Sequence, residues 1–273
     1  MRRNHVGPAP REHDSEHGWE VAHFLGGTAL DGARLAGFRD RASVGLDMQV
    51  LPQPVVVVVI GLGDASLTVE SATARRPLRS FVASLSPGPA RVRGEHVECV
   101  EVCLPPLAAH AVLGVSPREL DGSVNGLEDL WGRTARSLRE QLTDATTWQE
   151  RLALTDAFLA RRAVGTPPVS PEVAAAWNTI VARRVRVAGL AASFGWSRKR
   201  LWSRFTDQIG LTPKRAAMLV RFDHAARALC AGENADTVAL ACGYADQSHL
   251  HRDVTALAGC TPRALAGRST SAG

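Results

Sequence analysis

The sequence lacks the features of a membrane, secreted or zinc-binding protein. Its longest unbroken aliphatic run, Val55 to Ile60, is far shorter than the roughly 20 residues that a membrane-spanning helix needs. Its five cysteines are odd in number and none stands in CxxC spacing, so we expect neither a disulfide framework nor a zinc site. Residues 1–17 are polar, without the apolar segment of a secretory signal. We predict a disordered tail there, and a cytoplasmic protein with no membrane association.

The sequence also contains no GxSxG, HExxH, Walker or dinucleotide-binding motif. A metal site built from His96, Glu98 and Cys99 is disfavoured, because alternation along a strand sends Cys99 to the face opposite the other two. Cys99 and Cys103 share one face of that strand; we interpret them as buried reduced thiols, with metal binding or redox sensing as the alternative. We therefore predict no enzyme activity, no cofactor and no bound metal.

The basic charge is confined to the C-terminal part of the chain. Residues 171–273 contain 14 Lys and Arg against 7 Asp and Glu, a net charge of +7. Residues 1–170 contain 18 basic and 20 acidic residues, a net charge of −2. A localised positive charge favours a polyanionic partner, because each neutralised phosphate releases condensed counterions. A solvated basic face is the alternative that charge alone leaves open.

The N-terminal part is predicted to be β-rich and then helical. β-branched or alternating runs separated by Gly, Pro and Asp predict strands at Val55–Ile60, Ser66–Glu70, Ser80–Leu85 and Val97–Leu104. Helical periodicity follows over residues 127–142 and 148–159. The break Gly165-Thr166-Pro167-Pro168 then separates a domain of residues 18–164 from a helical domain of residues 170–266.

The helical domain repeats itself. The segment LAASFGWSRKRLWSRFTDQIGLTP, residues 190–213, matches VALACGYADQSHLHRDVTALAGCTP, residues 238–262, at seven positions with one insertion. In each copy a small residue allows a short helix to pack closely, a glycine allows a tight turn, and a second helix follows. We interpret each copy as a helix-turn-helix unit. The matched pairs are Ala191 and Ala239, Gly195 and Gly243, Leu201 and Leu250, Phe205 and Val254, Gly210 and Gly259, Thr212 and Thr261, and Pro213 and Pro262.

The second helix of each copy has a polar face opposite its buried residues. Successive residues of a helix are rotated by about 100°, so placing Leu201 and Leu250 inward determines which positions face outward. The side chains at the outward and flanking positions are mostly hydrogen-bonding or cationic, and they suit base edges and phosphates. They are Arg198, Lys199, Trp202, Ser203 and Thr206 in the first copy and Gln247, Ser248, His251, Arg252 and Thr255 in the second.

Other basic residues are predicted to contact phosphates. Lys214 lies at the start of a longer helix, Pro213 to about Cys230, where free backbone N–H groups attract anions. The cluster Arg183, Arg184 and Arg186 is either a second set of phosphate contacts or a solvated helix end.

The two copies contain the stretch FGWSRKRLWSRFTDQIGLTPK and the segment GYADQSHLHRD followed by AGCTP. Over about 100 residues, these sequences resemble the AraC/XylS family of bacterial transcription regulators. The resemblance implies two helix-turn-helix units joined by a long helix, each placing its second helix in one of two successive major grooves. The family's base-reading positions fall on Lys199, Trp202 and Ser203, and then on Gln247, Ser248 and Arg252.

The N-terminal part contains the segments FVASLSPGP, CVEVCLPPLAAHAVLGV and GLEDLWG. These segments more loosely resemble the N-terminal domain of many actinobacterial regulators. That likeness implies a cupin-like sensory or dimerisation domain. The predicted fold class is therefore α+β: a β-rich N-terminal domain with following helices, and then an all-α tandem helix-turn-helix domain. The implied function is transcription activation rather than repression, with double-stranded DNA and RNA polymerase as partners, a small-molecule effector and a homodimer.

Two enzymatic functions compete with this prediction. DNA-repair alkyl-acceptor enzymes carry the same double unit, but they need a reactive, metal-bound cysteine cluster upstream. Only Cys99 and Cys103 precede the DNA-binding region here, and neither stands in a Pro-Cys-x-Arg context. An N-terminal small-molecule enzyme that uses DNA as a scaffold has no motif to support it. The repair enzyme is kept as the alternative to the regulator.

Overall fold

The computed structural model describes residues 18–43, 45–63, 67–71, 75–85, 88–120, 123–182 and 189–267. Within these ranges the chain first forms two antiparallel β-sheets and then continues mainly in helices. The predicted fold class is confirmed. The predicted tail, residues 1–17, lies outside the described residues.

The strands form two sheets that pack face to face. They are β1 (Trp19–His23), β2 (Arg34–Asp40), β3 (Leu46–Val50), β4 (Val56–Gly61), β5 (Leu67–Glu70), β6 (Arg75–Leu78), β7 (Ser80–Ala83), β8 (Ala90–Gly94), β9 (Glu98–Leu104) and β10 (Val124–Gly126). One sheet has the order β1-β2-β9-β4-β7-β10 and the other β3-β8-β5-β6. Val59 and Phe81 of the first sheet share a hydrophobic cluster with Val69 and Val92 of the second.

The four predicted strands correspond to β4, β5, β7 and β9, with ends that differ by at most two residues. Ser66, the first residue of one predicted strand, lies outside the described residues. The remaining strands were not predicted. Their sequences are short and mix charged with apolar residues, as in RRPL of β6 and ARVRG of β8, so their β-structure depends on pairing with neighbouring strands.

Alternate side chains of β9 face two different interior regions. Val100, Val102 and Leu104 are fully buried in a core that continues into the helices. Cys99, Glu101 and Cys103 project from the other face into a cavity between the sheets. Glu98 lies on the opposite face from Cys99 and binds Arg39 and Arg151, so the predicted separation of these two side chains is observed.

Helices cover the outer face of the larger sheet and make up most of the described residues that follow β9. They are α1 (Pro106–Leu113), a short 3-10 helix (Pro117–Leu120), α2 (Leu127–Trp131), α3 (Arg133–Asp144), α4 (Trp148–Ala163), α5 (Pro171–Val181), α6 (Leu190–Ser193), α7 (Arg198–Ile209), α8 (Pro213–Cys230), α9 (Ala235–Ala241), α10 (Gln247–Ala258) and α11 (Pro262–Ala266). No helix in the described ranges is both long and apolar enough to span a bilayer.

One helical prediction was wrong. The apolar stripe over residues 127–142 predicted one helix, but Gly132 adopts a positive φ of 56° and divides the segment into α2 and α3. A stripe reports only which side chains face the core, and two short helices that meet at a glycine satisfy the same pattern.

The long helix α8 belongs to two hydrophobic cores. Its first half, with Ala216, Leu219 and Val220, packs in the core that contains α5, α7 and the sheet-covering helices. Its second half, with Phe222 and Leu229, packs with α9, α10 and α11 in a separate cluster. The predicted break at residues 165–168 therefore does not separate the cores, and the division into two domains stays a proposal.

Trp148 at the start of α4 attaches that helix to the larger sheet. Its indole lies directly over Gly37 of β2, where an added Cβ would come within 2.3 Å of the ring. The guanidinium groups of Arg39 and Arg151 lie 5.4 and 5.0 Å from the ring centroid, and Glu98 binds both arginines. Glycine at position 37 is what allows the indole to reach the strand.

We expect Gly37→Ala to destabilise the N-terminal part by about 1–3 kcal/mol, because the methyl group forces Trp148 away from β2. The measurement is urea denaturation followed by tryptophan fluorescence. Gly27→Ala is the matched control, since nothing lies within 4 Å of its added Cβ. Equal denaturation midpoints for the two variants would contradict this packing.

Candidate nucleic-acid interface

The first candidate unit consists of α6, a turn and α7. Gly195 in the turn has a φ of 66°, a conformation that favours glycine. Ser197 precedes α7, and its hydroxyl oxygen accepts the backbone N–H of Arg200 at 3.2 Å. This bond caps the start of the helix that carries the predicted residues.

The second unit, α9 to α10, repeats this arrangement. Gly243 in its turn has a φ of 74°. Asp246 caps α10, and its Oδ1 accepts the backbone N–H of His249 at 2.7 Å. Each second helix has 12 residues. The two copies thus use different capping side chains to define helices of equal length.

The matched residues at the other end of each unit have matching roles. Gly210 and Gly259 end α7 and α10 in the left-handed conformation. Thr212 and Thr261 then cap α8 and α11 through their hydroxyl groups, and a proline follows at the first helical position of each. The sequence repeat is therefore a structural repeat.

The buried face of each second helix is apolar. Leu201, Phe205 and Ile209 of α7 are at most 1% exposed. Leu250 and Val254 of α10 are fully buried, so Val254 is as buried as the matched Phe205 of α7. The small residues Ala191 and Ala239 are also buried, as close packing of the first helices requires.

The predicted DNA-contacting residues lie on the opposite faces, and most are exposed. Trp202 and Thr206 are half-buried. Trp202 packs against the core, and the Arg198 guanidinium lies 5.5 Å from its ring centroid. The exposed residues are Arg198, Lys199 and Ser203 of α7, Lys214 of α8, and Gln247, Ser248, His251, Arg252 and Thr255 of α10.

Two side chains of α10 contact their own helix. The Arg252 Nε donates to the carbonyl of Ser248 at 3.3 Å. The Thr255 hydroxyl lies 3.5 Å from Nδ1 of His251. Both contacts are exposed, so water or a polar ligand can replace them at little cost. Arg183, Arg184 and Arg186 lie outside the described residues.

A polar network that the sequence did not predict holds α10 against α8. The Arg221 guanidinium donates to Asp253 at 2.7 Å and lies 4.5 Å from the ring centroid of the buried Tyr244. His249 meets the same tyrosine edge-on at 5.1 Å. Burial raises the pKa of Tyr244 to about 12, so this hydroxyl stays protonated. No local pattern links Arg221 to Asp253, which lies 32 residues further along the chain.

The N-terminal part of the chain contacts the last turn of both second helices. The Ser116 hydroxyl donates to the carbonyl of Asp207 in α7 at 2.7 Å. The Gln49 amide donates to the carbonyl of Ala258 in α10 at 2.8 Å. Carbonyls in the last turn of a helix have no partner within the helix, so these bonds satisfy groups that would otherwise need water.

Arg118, in the N-terminal part of the chain, also contacts α7. Its Nη1 lies 2.9 Å from Oδ1 of Asp207. It lines one open depression, about 550 Å³ in volume, together with five of the predicted residues. The sequence analysis missed Arg118, because nothing in its local sequence indicates proximity to α7. The five are Arg198, Lys199, Trp202, Ser203 and Thr206.

A cavity of about 700 Å³ lies between the two sheets. Its walls are mostly apolar, and Arg34, Glu101 and Cys103 form a polar cluster on them. Burial raises the pKa of the Glu101 carboxyl. Gly210, Leu211 and Arg215 of the helical region line the same cavity. A molecule bound there would contact both parts of the chain.

Comparison with known proteins agrees with the helix-turn-helix geometry. Residues 190–268 match the family described as "Helix-turn-helix domain". No curated protein matches the chain.

Solved structures with some similarity include two of ToxT from Vibrio cholerae. ToxT from strain O395 is 7% identical, with a TM-score of 0.46 over 93% of this chain and 99% of that chain. An apo ToxT variant from strain SCE256 is 9% identical, with a TM-score of 0.47 over 86% and 97%. CuxR, described as an AraC-like transcriptional activator, is 16% identical, with a TM-score of 0.28 over 69% and 80%.

The duplicated, capped helices and the family match over the same residues together identify this region. The C-terminal part of the chain, residues 190–268, is a helix-turn-helix domain.

Proposed function

We propose that the protein is a transcription regulator that binds specific DNA sequences by placing α7 and α10 in two successive major grooves. The observation that supports this most directly is the pair of capped helices of 12 residues, whose apolar residues are buried and whose polar face is exposed. A helix about 10–12 Å in diameter fits the major groove, which is about 12 Å wide. In this proposal residues 18–164 sense a signal and residues 170–266 bind DNA.

The side chains divide by chemistry into base readers and phosphate contacts. The Arg252 guanidinium can form two hydrogen bonds to a guanine edge, and the Gln247 amide can do the same with adenine. Lys214 is exposed in the first turn of α8, where it suits a phosphate. Activation, contact with RNA polymerase and a homodimer made through the N-terminal domain are parts of the proposal that rest on the AraC/XylS resemblance.

Footprinting on the neighbouring promoter tests the double-groove geometry. We expect protection of two adjacent major grooves on one DNA face, about 20 base pairs in all. Protection of one groove alone, or of no defined sequence, would contradict the proposal.

Arg252→Ala and Lys214→Ala should have different effects on the full chain. Loss of Arg252 should cost about 1–3 kcal/mol and relax base preference at one position. Loss of Lys214 should weaken binding to all duplexes alike and lower the salt dependence by about one phosphate contact. The measurement is titration of duplexes selected from a random pool and of their single-base-pair variants. If Arg252→Ala changes neither affinity nor base preference, α10 is oriented differently.

The structure disfavours the repair-enzyme alternative. Alkyl transfer needs a thiolate, since the thiolate is the nucleophilic form. Burial and the neighbouring Glu101 raise the pKa of Cys103 to about 12, and burial raises the pKa of Cys99. The described residues also contain no group of three or more His, Cys, Asp or Glu side chains placed to hold a metal ion.

We further propose that a small amphipathic molecule in the cavity controls DNA binding. Met48 and Val50 line the cavity, and Gln49 between them bonds to α10. Leu211 and Arg215, at the junction of α7 and α8, line it as well. A ligand that moves these walls therefore acts on both DNA-contacting helices. The apolar walls suit a hydrocarbon body, and the Arg34, Glu101 and Cys103 cluster suits a polar group.

Ala83→Phe should abolish binding of a small molecule in the cavity, because Ala83 lines the cavity and a phenyl ring would fill part of it. The measurement is the thermal shift produced by a straight-chain alcohol, amine and carboxylic acid of equal length. At least one should stabilise the unaltered protein, and none should stabilise the variant. Ala157→Phe, on the exposed side of α4, is the control. If no compound stabilises the unaltered protein, or if Ala83→Phe retains the shift, the cavity is not the effector site.

A further inference from the structure

The short 3-10 helix Pro117–Leu120 lies directly against the C-terminal end of α7. The carbonyl oxygen of Pro117 is 3.0 Å from the position that a Cβ on Gly210 would occupy. The Ser116 hydroxyl bonds to the carbonyl of Asp207 just before this point. The N-terminal domain is therefore in van der Waals contact with a helix that is proposed to enter DNA.

Asp207 positions two side chains at this contact. Its Oδ1 accepts Arg118 at 2.9 Å, and its Oδ2 accepts the hydroxyl of Ser203 at 3.4 Å. Ser203 is one of the predicted base-reading residues. The carboxylate thus links a cation of the N-terminal domain to the DNA-facing side of α7.

Arg118 is held in place but remains accessible. Its side chain is 65% exposed, although it is paired with Asp207. It faces the same open depression as Arg198 and Lys199, so three cations surround that space. The Asp207 carboxylate beside it would repel a phosphate, and the Arg118 guanidinium compensates its charge.

The size of the major groove determines what Arg118 would meet. A helix with its side chains nearly fills a groove about 12 Å wide. Any element packed on the flank or end of that helix therefore lies beside the sugar-phosphate backbone. A guanidinium group suits a phosphate, because its N–H donors match two oxygens.

We propose that Arg118 contacts a DNA phosphate and that the N-terminal domain is thereby part of the DNA interface. This inference rests on the proposed insertion of α7 into a major groove. It assigns the 3-10 helix a direct role in binding, so a change in the position of the N-terminal domain alters DNA affinity through a charged contact.

The experiment compares Arg118→Gln and Arg118→Lys in the full chain by titration at several salt concentrations. The duplexes are about 40 base pairs long, one selected from a random pool and one with the same sequence shuffled, so that each exceeds the expected footprint. Arg136→Gln is the matched control. Arg136 is an exposed, ion-paired arginine of α3, a helix that packs on α2 and α4.

Arg118→Gln should weaken binding to both duplexes and reduce the slope of log K against log salt by about 0.9, the value for one phosphate. Its preference for the selected duplex should stay unchanged. Arg118→Lys should retain most of the slope because it keeps the charge. Arg136→Gln should match the unaltered protein.

Each other outcome overturns a defined statement. An unchanged slope in Arg118→Gln refutes the phosphate contact. Tighter binding by that variant shows that the 3-10 helix obstructs DNA instead. If the unaltered protein does not prefer the selected over the shuffled duplex, the proposed sequence-specific function fails, whatever the slopes are.

Discussion

Two hydrogen bonds to helix ends connect the N-terminal part of the chain to the tandem units. A helix leaves the carbonyls of its last turn without partners, and these groups need donors from elsewhere. Ser116 supplies a donor to α7 and Gln49 supplies one to α10. The N-terminal part of the chain therefore contacts the last turn of both second helices.

The helix α8 provides the other connection between the units. Its first half packs in the core of α7 and its second half in the core of α10, so one rigid element belongs to both. The Arg221–Asp253 ion pair adds a polar contact between α8 and α10. Each unit therefore contacts both α8 and the N-terminal part of the chain.

The cavity is a consequence of strand alternation. Every second residue of β9 packs under the helices, and the intervening residues face the space between the sheets. Residues of the α7–α8 junction complete the wall of that space. The same strand thus contributes side chains to the core on one face and to the proposed effector site on the other.

The sequence by itself determined the tandem units and the long helix between them, because the turn glycines, buried pairs and Thr-Pro pairs of each unit are separated by no more than a few residues. It also indicated the exposed face of each second helix, since that face follows from helical periodicity alone. Most strands could not be predicted from the sequence, because segments such as β6 and β8 become strands only through pairing with distant segments. Only the tertiary structure brought Arg118 to Asp207, 89 residues away, and closed the cavity with Leu211 and Arg215. Such contacts depend on how whole elements pack, and no local pattern in the chain records them.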